Sequence, residues 1–351
     1  MAMLDFLKNK LITGRGATAI YVLLKANIQN AEIVLPANIC YAAIHPVVFS
    51  GNKPVFCDVD SASGNMTLET LRRAVNGKTS AVIMPHMYGN PVADTEKIAR
   101  FCKEKGIMLI EDCASSMGAE LNGRMLGTFG DYAIFSTGYS KTLDLGDGGI
   151  LASGHSLDKE TELYASLDLY DGGAEVTSAE FSKLYRAFRN SKTDIRDSEF
   201  YAVCHGDVRK NFLYRLTPEA EKNIGERVAS ELDGAIHQRR REALLYASLT
   251  EFGGSIKPYD YLDGAVPWRF NIYVAPEVRD EFVRRLLEMN VPVSDWYPVS
   301  AIMFDDYSSY PNALAAEKSI LNFPLLIGEK RIKEICECIN KVKDVSDNGV
   351  N

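Results

Sequence analysis

The chain has 351 residues, 46% of them hydrophobic and 25% charged, with a net charge of −8. That acidic balance, with no long Lys/Arg cluster, excludes a nucleic-acid backbone as the expected partner. No apolar run approaches the ~18 residues of a membrane span, and the N-terminal MAMLDFLKNKL lacks an apolar signal core, so a cytoplasmic protein is expected. The seven scattered cysteines, with Cys336 and Cys338 separated by a single residue, lack CxxC spacing; buried thiols and no metal site are expected.

In chain order, GRGATAIYVLL (14–24) opens a helix with small residues. Exposed first-turn amides there suit a phosphate, although a plain tight turn has the same look. Short β-rich runs follow: EIVLP (32–36), PVFCDV (54–59), AVIMPHM (81–87), IMLIE (107–111), DYAIFS (131–136) and GILAS (149–153). Several are apolar without alternation, the pattern of parallel strands covered on both faces. Between two of them Asp94 is placed to cap a helix with Ile98, Phe101 and Cys102 on one face, closed by Gly106. This βαβ rhythm predicts an open α/β sheet over the first ~150 residues.

Residues 155–212 lose the rhythm and read as helices and loops. From Thr217 to about Ser248 an amphipathic pattern predicts one long helix, a spine between two domains. FNIYV (270–274), a helix near 277–289 and EKRIKEICECINKV (329–342) predict a small α+β domain. The expected division is a large domain over 1–235 and a small one over 236–351.

Ligands of such sheets collect at the carboxyl ends of strands. There IMLIE runs into Asp112, an acid that needs a partner or caps the next turn. AIFS ends in Ser136, five residues before Lys141. A phosphate-binding helix start, then an acid, then a lysine are the parts that hold pyridoxal phosphate. The lysine forms a Schiff base with its aldehyde, and the carboxylate pairs with its pyridinium nitrogen. The order along the chain is that of fold-type-I pyridoxal-phosphate enzymes.

The segments VLPANICYAAIHPVVFSGNKPVFCDVD, HMYGNP, IEDCASSMGAELNGRMLGTFGDYAIFSTGYSK and GDGG together resemble the DegT/DnrJ/EryC1/StrS family of sugar aminotransferases. The resemblance is dense from Gly14 to Ser153 and returns at YRL (214–216) and LNFPL (321–325). It implies a large domain on a mostly parallel mixed sheet and a smaller α+β C-terminal domain. By it, Lys141 is the Schiff-base lysine, Asp112 the pyridinium partner, and Ser136 with the amides of Gly16 and Ala17 the phosphate seat. Ser115 takes the place of the family's glutamine near the pyridine hydroxyl. Cys40 falls where a ring-stacking aromatic is expected, with Tyr41 beside it. His86 matches the histidine before the YG pair, as a cofactor contact or as a hydrogen-bonded core histidine.

The implied activity is transfer of an amino group from glutamate or glutamine to a keto sugar, nucleotide-linked, in a homodimer with shared active sites. Tyr214 and Arg215 would reach substrate or the partner subunit. Three features depart from the family. Only about a dozen residues precede the phosphate loop, Leu213 stands where an asparagine is usual, and the stretch between Lys141 and Tyr214 is longer. Two other readings stay open: a sugar dehydratase, whose members carry histidine in place of Lys141, and a non-catalytic regulatory protein that binds the same cofactor.

Overall fold

The structure, a computed structural model, describes residues 8–170, 209–304 and 309–348. Strand β1 (Asn9–Thr13) leads into helix α1 (Gly16–Asn27), followed by β2 (Glu32–Pro36), α2 (Tyr41–Phe49), β3 (Lys53–Cys57) and α3 (Leu68–Ala74). Then come β4 (Thr79–Pro85), α4 (Thr95–Lys105), β5 (Met108–Asp112) and a small hairpin of β6 (Glu120–Leu121) and β7 (Arg124–Met125). Strands β8 (Tyr132–Ser136) and β9 (Gly149–Ser153) precede α5 (Asp158–Ala165). Seven strands form one sheet in the order β1-β9-β8-β5-β4-β2-β3.

The five strands from β8 to β3 run parallel, as their unbroken apolar character predicts, while β9 is antiparallel to both β8 and β1. Both faces are covered. α1 and α2 pack with Ile33, Leu35 and Ile110 on one side, and Ile98 and Cys102 of α4 with Val34, Val82 and Leu109 on the other. Strand β1 is an edge strand with only Thr13 fully buried, so its sequence lacks the apolar run that marks the others. At α4, Gly106 closes the helix in the left-handed region, φ 67°. Asp94 does not cap its own helix: its carboxylate accepts the Leu68 amide at 3.0 Å and the Lys97 ammonium at 2.8 Å.

Helix α6 (Pro218–Leu249) is capped by Thr217, whose hydroxyl accepts the Ala220 amide at 3.2 Å. Its first half packs Ile224, Val228, Leu232 and Ile236 against Phe135, Leu143 and Ile150. Its last turns place Ala243 and Tyr246 in a second core with Phe270, Ile272, Phe282 and Phe323. That core belongs to the antiparallel strands β10 (Ile256–Pro258), β11 (Phe270–Val274) and β12 (Ile320–Phe323) and to helices α7 (Pro276–Glu288) and α9 (Glu329–Asn348). A short α8 (Pro311–Glu317) precedes β12. The passage from one core to the next falls between Ile236 and Ala243. Most of the polar stretch expected at 155–212, residues 171–208, lies outside the described residues.

Candidate active site

Register brings the site together. Pro85 of β4 pairs with Asp112 of β5, and Asp112 pairs with Ile134 of β8, so Asp112 and Ser136 leave the sheet at one edge. The start of α1 arrives there because Thr13 pairs with Gly149 and the Gly148 amide donates to the Gly14 carbonyl at 2.9 Å. This approach explains the GDGG run. A Cβ on Gly149 would overlap the Arg15 carbonyl, and Gly148, at φ 102°, has the Thr137 hydroxyl where a Cβ would stand. A Cβ on Gly16 would sit 3.5 Å from that of Ser136, which makes Gly16 and Ser136 neighbours. The amides of Gly16 and Ala17 belong to the first turn, whose donors have no partner within a helix. Amides, a hydroxyl and a glycine-lined cradle are the chemistry that a phosphate needs.

Beside this seat, Lys141 Nζ lies 3.5 Å from the Ser115 hydroxyl, itself 3.3 Å from the Tyr297 hydroxyl. Burial works against the charged form of Lys141, but Tyr297, Cys40 and Asp112 outweigh it and leave the ammonium pKa above the ordinary lysine value. Burial raises the Asp112 pKa, opposed by the Ala114 amide at 3.0 Å and by the charge of Lys141. Burial likewise raises Cys40 and Tyr297. A half-buried lysine coupled to a buried carboxylate, with a phosphate seat alongside, fits pyridoxal phosphate in its three points of attachment.

The turn carrying Lys141 is held in place. Ser140 has φ 61°, unusual for a residue with a side chain. Its amide donates to Asp144 at 2.6 Å, its hydroxyl accepts from Arg269 Nη2 at 2.9 Å, and its carbonyl accepts the Trp268 indole N–H. Arg239 of α6 donates to three carbonyls: Lys141 at 2.6 Å, Thr142 at 2.9 Å and Trp268 at 2.6 Å. Burial lowers the pKa of Arg239 to about 10. Tyr297, Trp268, Arg239 and Arg269 were not anticipated from sequence, where no local pattern marks them. Only the aromatic run around Trp296 and Tyr297 hints at a wall.

The remaining anticipated residues fall as follows. His86 is a hydrogen-bonded core histidine: Nδ1 accepts the Val92 amide at 3.0 Å, so Nε2 carries the proton and faces Glu111 at 3.3 Å. Glu111 also accepts the amides of Gly127, Phe129 and Gly130 at 2.9, 2.6 and 2.7 Å. His86, Glu111 and Cys113 therefore form a cluster with metal-like spacing whose His and Glu lone pairs are already engaged by protons of the chain. The Tyr41 ring lies 6.5 Å from that of Trp296 and 6.3 Å from that of Phe212. Tyr214 donates to Asp147 of the GDGG run and accepts from Arg15 Nε at 2.7 Å, tying the YRL segment to the phosphate seat. Arg215 donates to the Leu167 carbonyl at 2.9 Å, and its backbone bonds to Asp168 and Tyr170. Within one chain, Arg215 is thus held by the 167–170 segment.

The chain is similar in sequence and in shape to known proteins. The dTDP-4-dehydro-2,3,6-trideoxy-D-glucose 4-aminotransferase of Saccharopolyspora spinosa is 33% identical over 76% of this chain and 65% of its own length. The GDP-perosamine synthase of Vibrio cholerae is 34% identical over 95% of this chain and 87% of its own. In shape, the aminotransferase TlmJ from Streptoalloteichus hindustanus superposes with a TM-score of 0.77 at 20% identity, covering 98% of this chain and 89% of that one. The sequence pattern of the DegT/DnrJ/EryC1/StrS aminotransferases matches residues 5–340, and the chain belongs to that family.

Proposed function

We propose that the chain is a pyridoxal-phosphate-dependent aminotransferase that converts a nucleotide-linked keto sugar to an amino sugar, with glutamate or glutamine as donor. The observation that carries this reading is the meeting of Lys141 and Asp112 in one buried pocket beside the start of α1. When bound, the cofactor supplies an aldehyde and an electron-accepting ring. Lys141 holds the aldehyde end. Its Nζ would also carry the proton to and from the substrate carbon. Asp112 holds the ring nitrogen's proton. Ser136 and the amides of Gly16 and Ala17 hold the phosphate. Ser115 and Tyr297 lie within hydrogen-bonding reach of each other beside Lys141 and orient its amine. Cys40 and Tyr41 would stand over the ring, and His86, fixed through Glu111, donates its backbone amide to the Asp112 carbonyl.

The sugar and its nucleotide are supported by the names of the two relatives, both of which act on or make nucleotide-linked sugars. A cytoplasmic homodimer is the setting in which Tyr214 and Arg215 complete a neighbouring site. Among the described residues no helix is long and apolar enough to cross a membrane. The test is spectroscopic. Glutamate or glutamine should convert the visible cofactor absorbance of the loaded protein, and a dTDP- or GDP-linked keto sugar should restore it. An absorbance that ignores both substrates would make the protein a cofactor-binding regulator instead.

A further inference from the structure

Arg269 stands directly before β11, on the segment that clamps the Lys141 turn. Its guanidinium lies over the Trp268 ring, 4.8 Å from the centroid, and Nη2 donates to Ser140 at 2.9 Å. Nε is buried without a hydrogen-bond partner, and no carboxylate of the described residues forms an ion pair with Arg269. Its neighbour Arg239 carries like charge and donates from each of its three nitrogens to a backbone carbonyl. Burial disfavours the charge on Arg269, and among the described residues the phenols of Tyr297 and Tyr139 act the other way. Tyr139 is 83% exposed, so solvent reaches this side of the turn. A half-buried cation with spare planar donors, beside an arginine already engaged by backbone carbonyls, is a charge arrangement that awaits an anion.

We propose that Arg269 receives an anionic oxygen group of a substrate: a carboxylate of the amino donor or a phosphate of the sugar nucleotide. The ligand's identity rests on the aminotransferase reading given above; the unpaired guanidinium does not. Both sources share one chemistry, a planar or tetrahedral set of oxygens that accepts two parallel N–H bonds from arginine.

The test measures binding without turnover. Cofactor-loaded wild type, R269Q and R269K are titrated calorimetrically with glutarate, dTDP and GDP. Glutamine removes the charge, so binding of at least one probe should weaken by about tenfold or more; lysine keeps the charge without the fork and should fall between. Selective loss for glutarate assigns the site to the donor, and selective loss for the nucleotides assigns it to the acceptor. Equal affinities in all three proteins, or no probe binding at all, overturn the proposal. So does loss of cofactor loading in both variants, which would make Arg269 a support for Ser140 only. If the wild-type absorbance fails to cycle with substrates, the aminotransferase reading falls, while the probe comparison still decides the fate of Arg269.

Discussion

Asp112 is buried and Lys141 half-buried, and each lowers the electrostatic penalty of the other. Replacing Lys141 with alanine should leave circular dichroism unchanged and abolish the borohydride-fixable link to cofactor. Peptide mapping of the reduced wild type should find the label on Lys141 and on no other lysine. Asp112 permits a sharper expectation, because its folded pKa is raised, with burial as the largest cause. Folding then favours the protonated acid, so stability is lost as pH rises from the ordinary carboxyl value through the folded one. Above the folded value the whole penalty is present. In cofactor-free protein at pH 7, Asp112→Asn should therefore raise the melting temperature, and the gain should vanish as pH falls below the ordinary carboxyl range. Loaded with cofactor, the same variant loses a charge-assisted hydrogen bond of about 1.5–3 kcal/mol and should run the glutamate half-reaction roughly tenfold slower or worse. Stopped-flow absorbance measures that rate. An unchanged rate would leave Asp112 a structural acid.

At the scale of elements, the lysine turn depends on a helix that begins far along the chain. Arg239 in the middle of α6 satisfies the carbonyls of Lys141, Thr142 and Trp268 at once, so α6, the turn and the segment leading into β11 share one anchor. Arg239→Met keeps the apolar stem and leaves those carbonyls without their donor. Each unsatisfied buried group costs ~1–3 kcal/mol, so urea unfolding should show a loss of about 3 kcal/mol or more. Arg239→Lys should recover only part of it, because one ammonium does not reproduce the planar fork. If Arg239 merely fills space, methionine and wild type should unfold at the same urea concentration. A changed cofactor absorbance maximum in Arg239→Lys would further report that the turn had moved.

For the molecule as a whole, the expectation is a dimer that completes each site with the YRL segment of its partner. The intrachain contact of Arg215 with Leu167 offers the simpler role of a brace for the 167–170 segment. Mixing separates the two. Lys141→Ala and Arg215→Ala, each inactive alone, are combined under conditions of subunit exchange. With shared sites, half of the sites in a mixed dimer pair an intact Lys141 with an intact Arg215, and activity returns. If both residues serve their own chain, every site keeps a defect and the mixture stays inactive. Analytical ultracentrifugation of the same mixture verifies that dimers exist to exchange.

By itself the sequence determined what neighbouring residues control. Unbroken apolar runs marked the parallel strands, because burial on both faces removes any alternation. Gly106 marked a helix end, because a left-handed cap acts within one turn. Asp112 and Ser136 stood out as candidates because a polar residue at the mouth of an apolar strand needs a reason to be there. The tertiary structure alone decided the rest. An apolar strand looks the same whether its neighbour runs parallel or antiparallel, so the reversed direction of β9 and the edge strand β1 were hidden. Tyr297 and Ser115 meet although 182 residues separate them. Arg239 could not be foreseen as the anchor of the Lys141 turn, because its partners are backbone carbonyls, which every residue carries and no residue type announces.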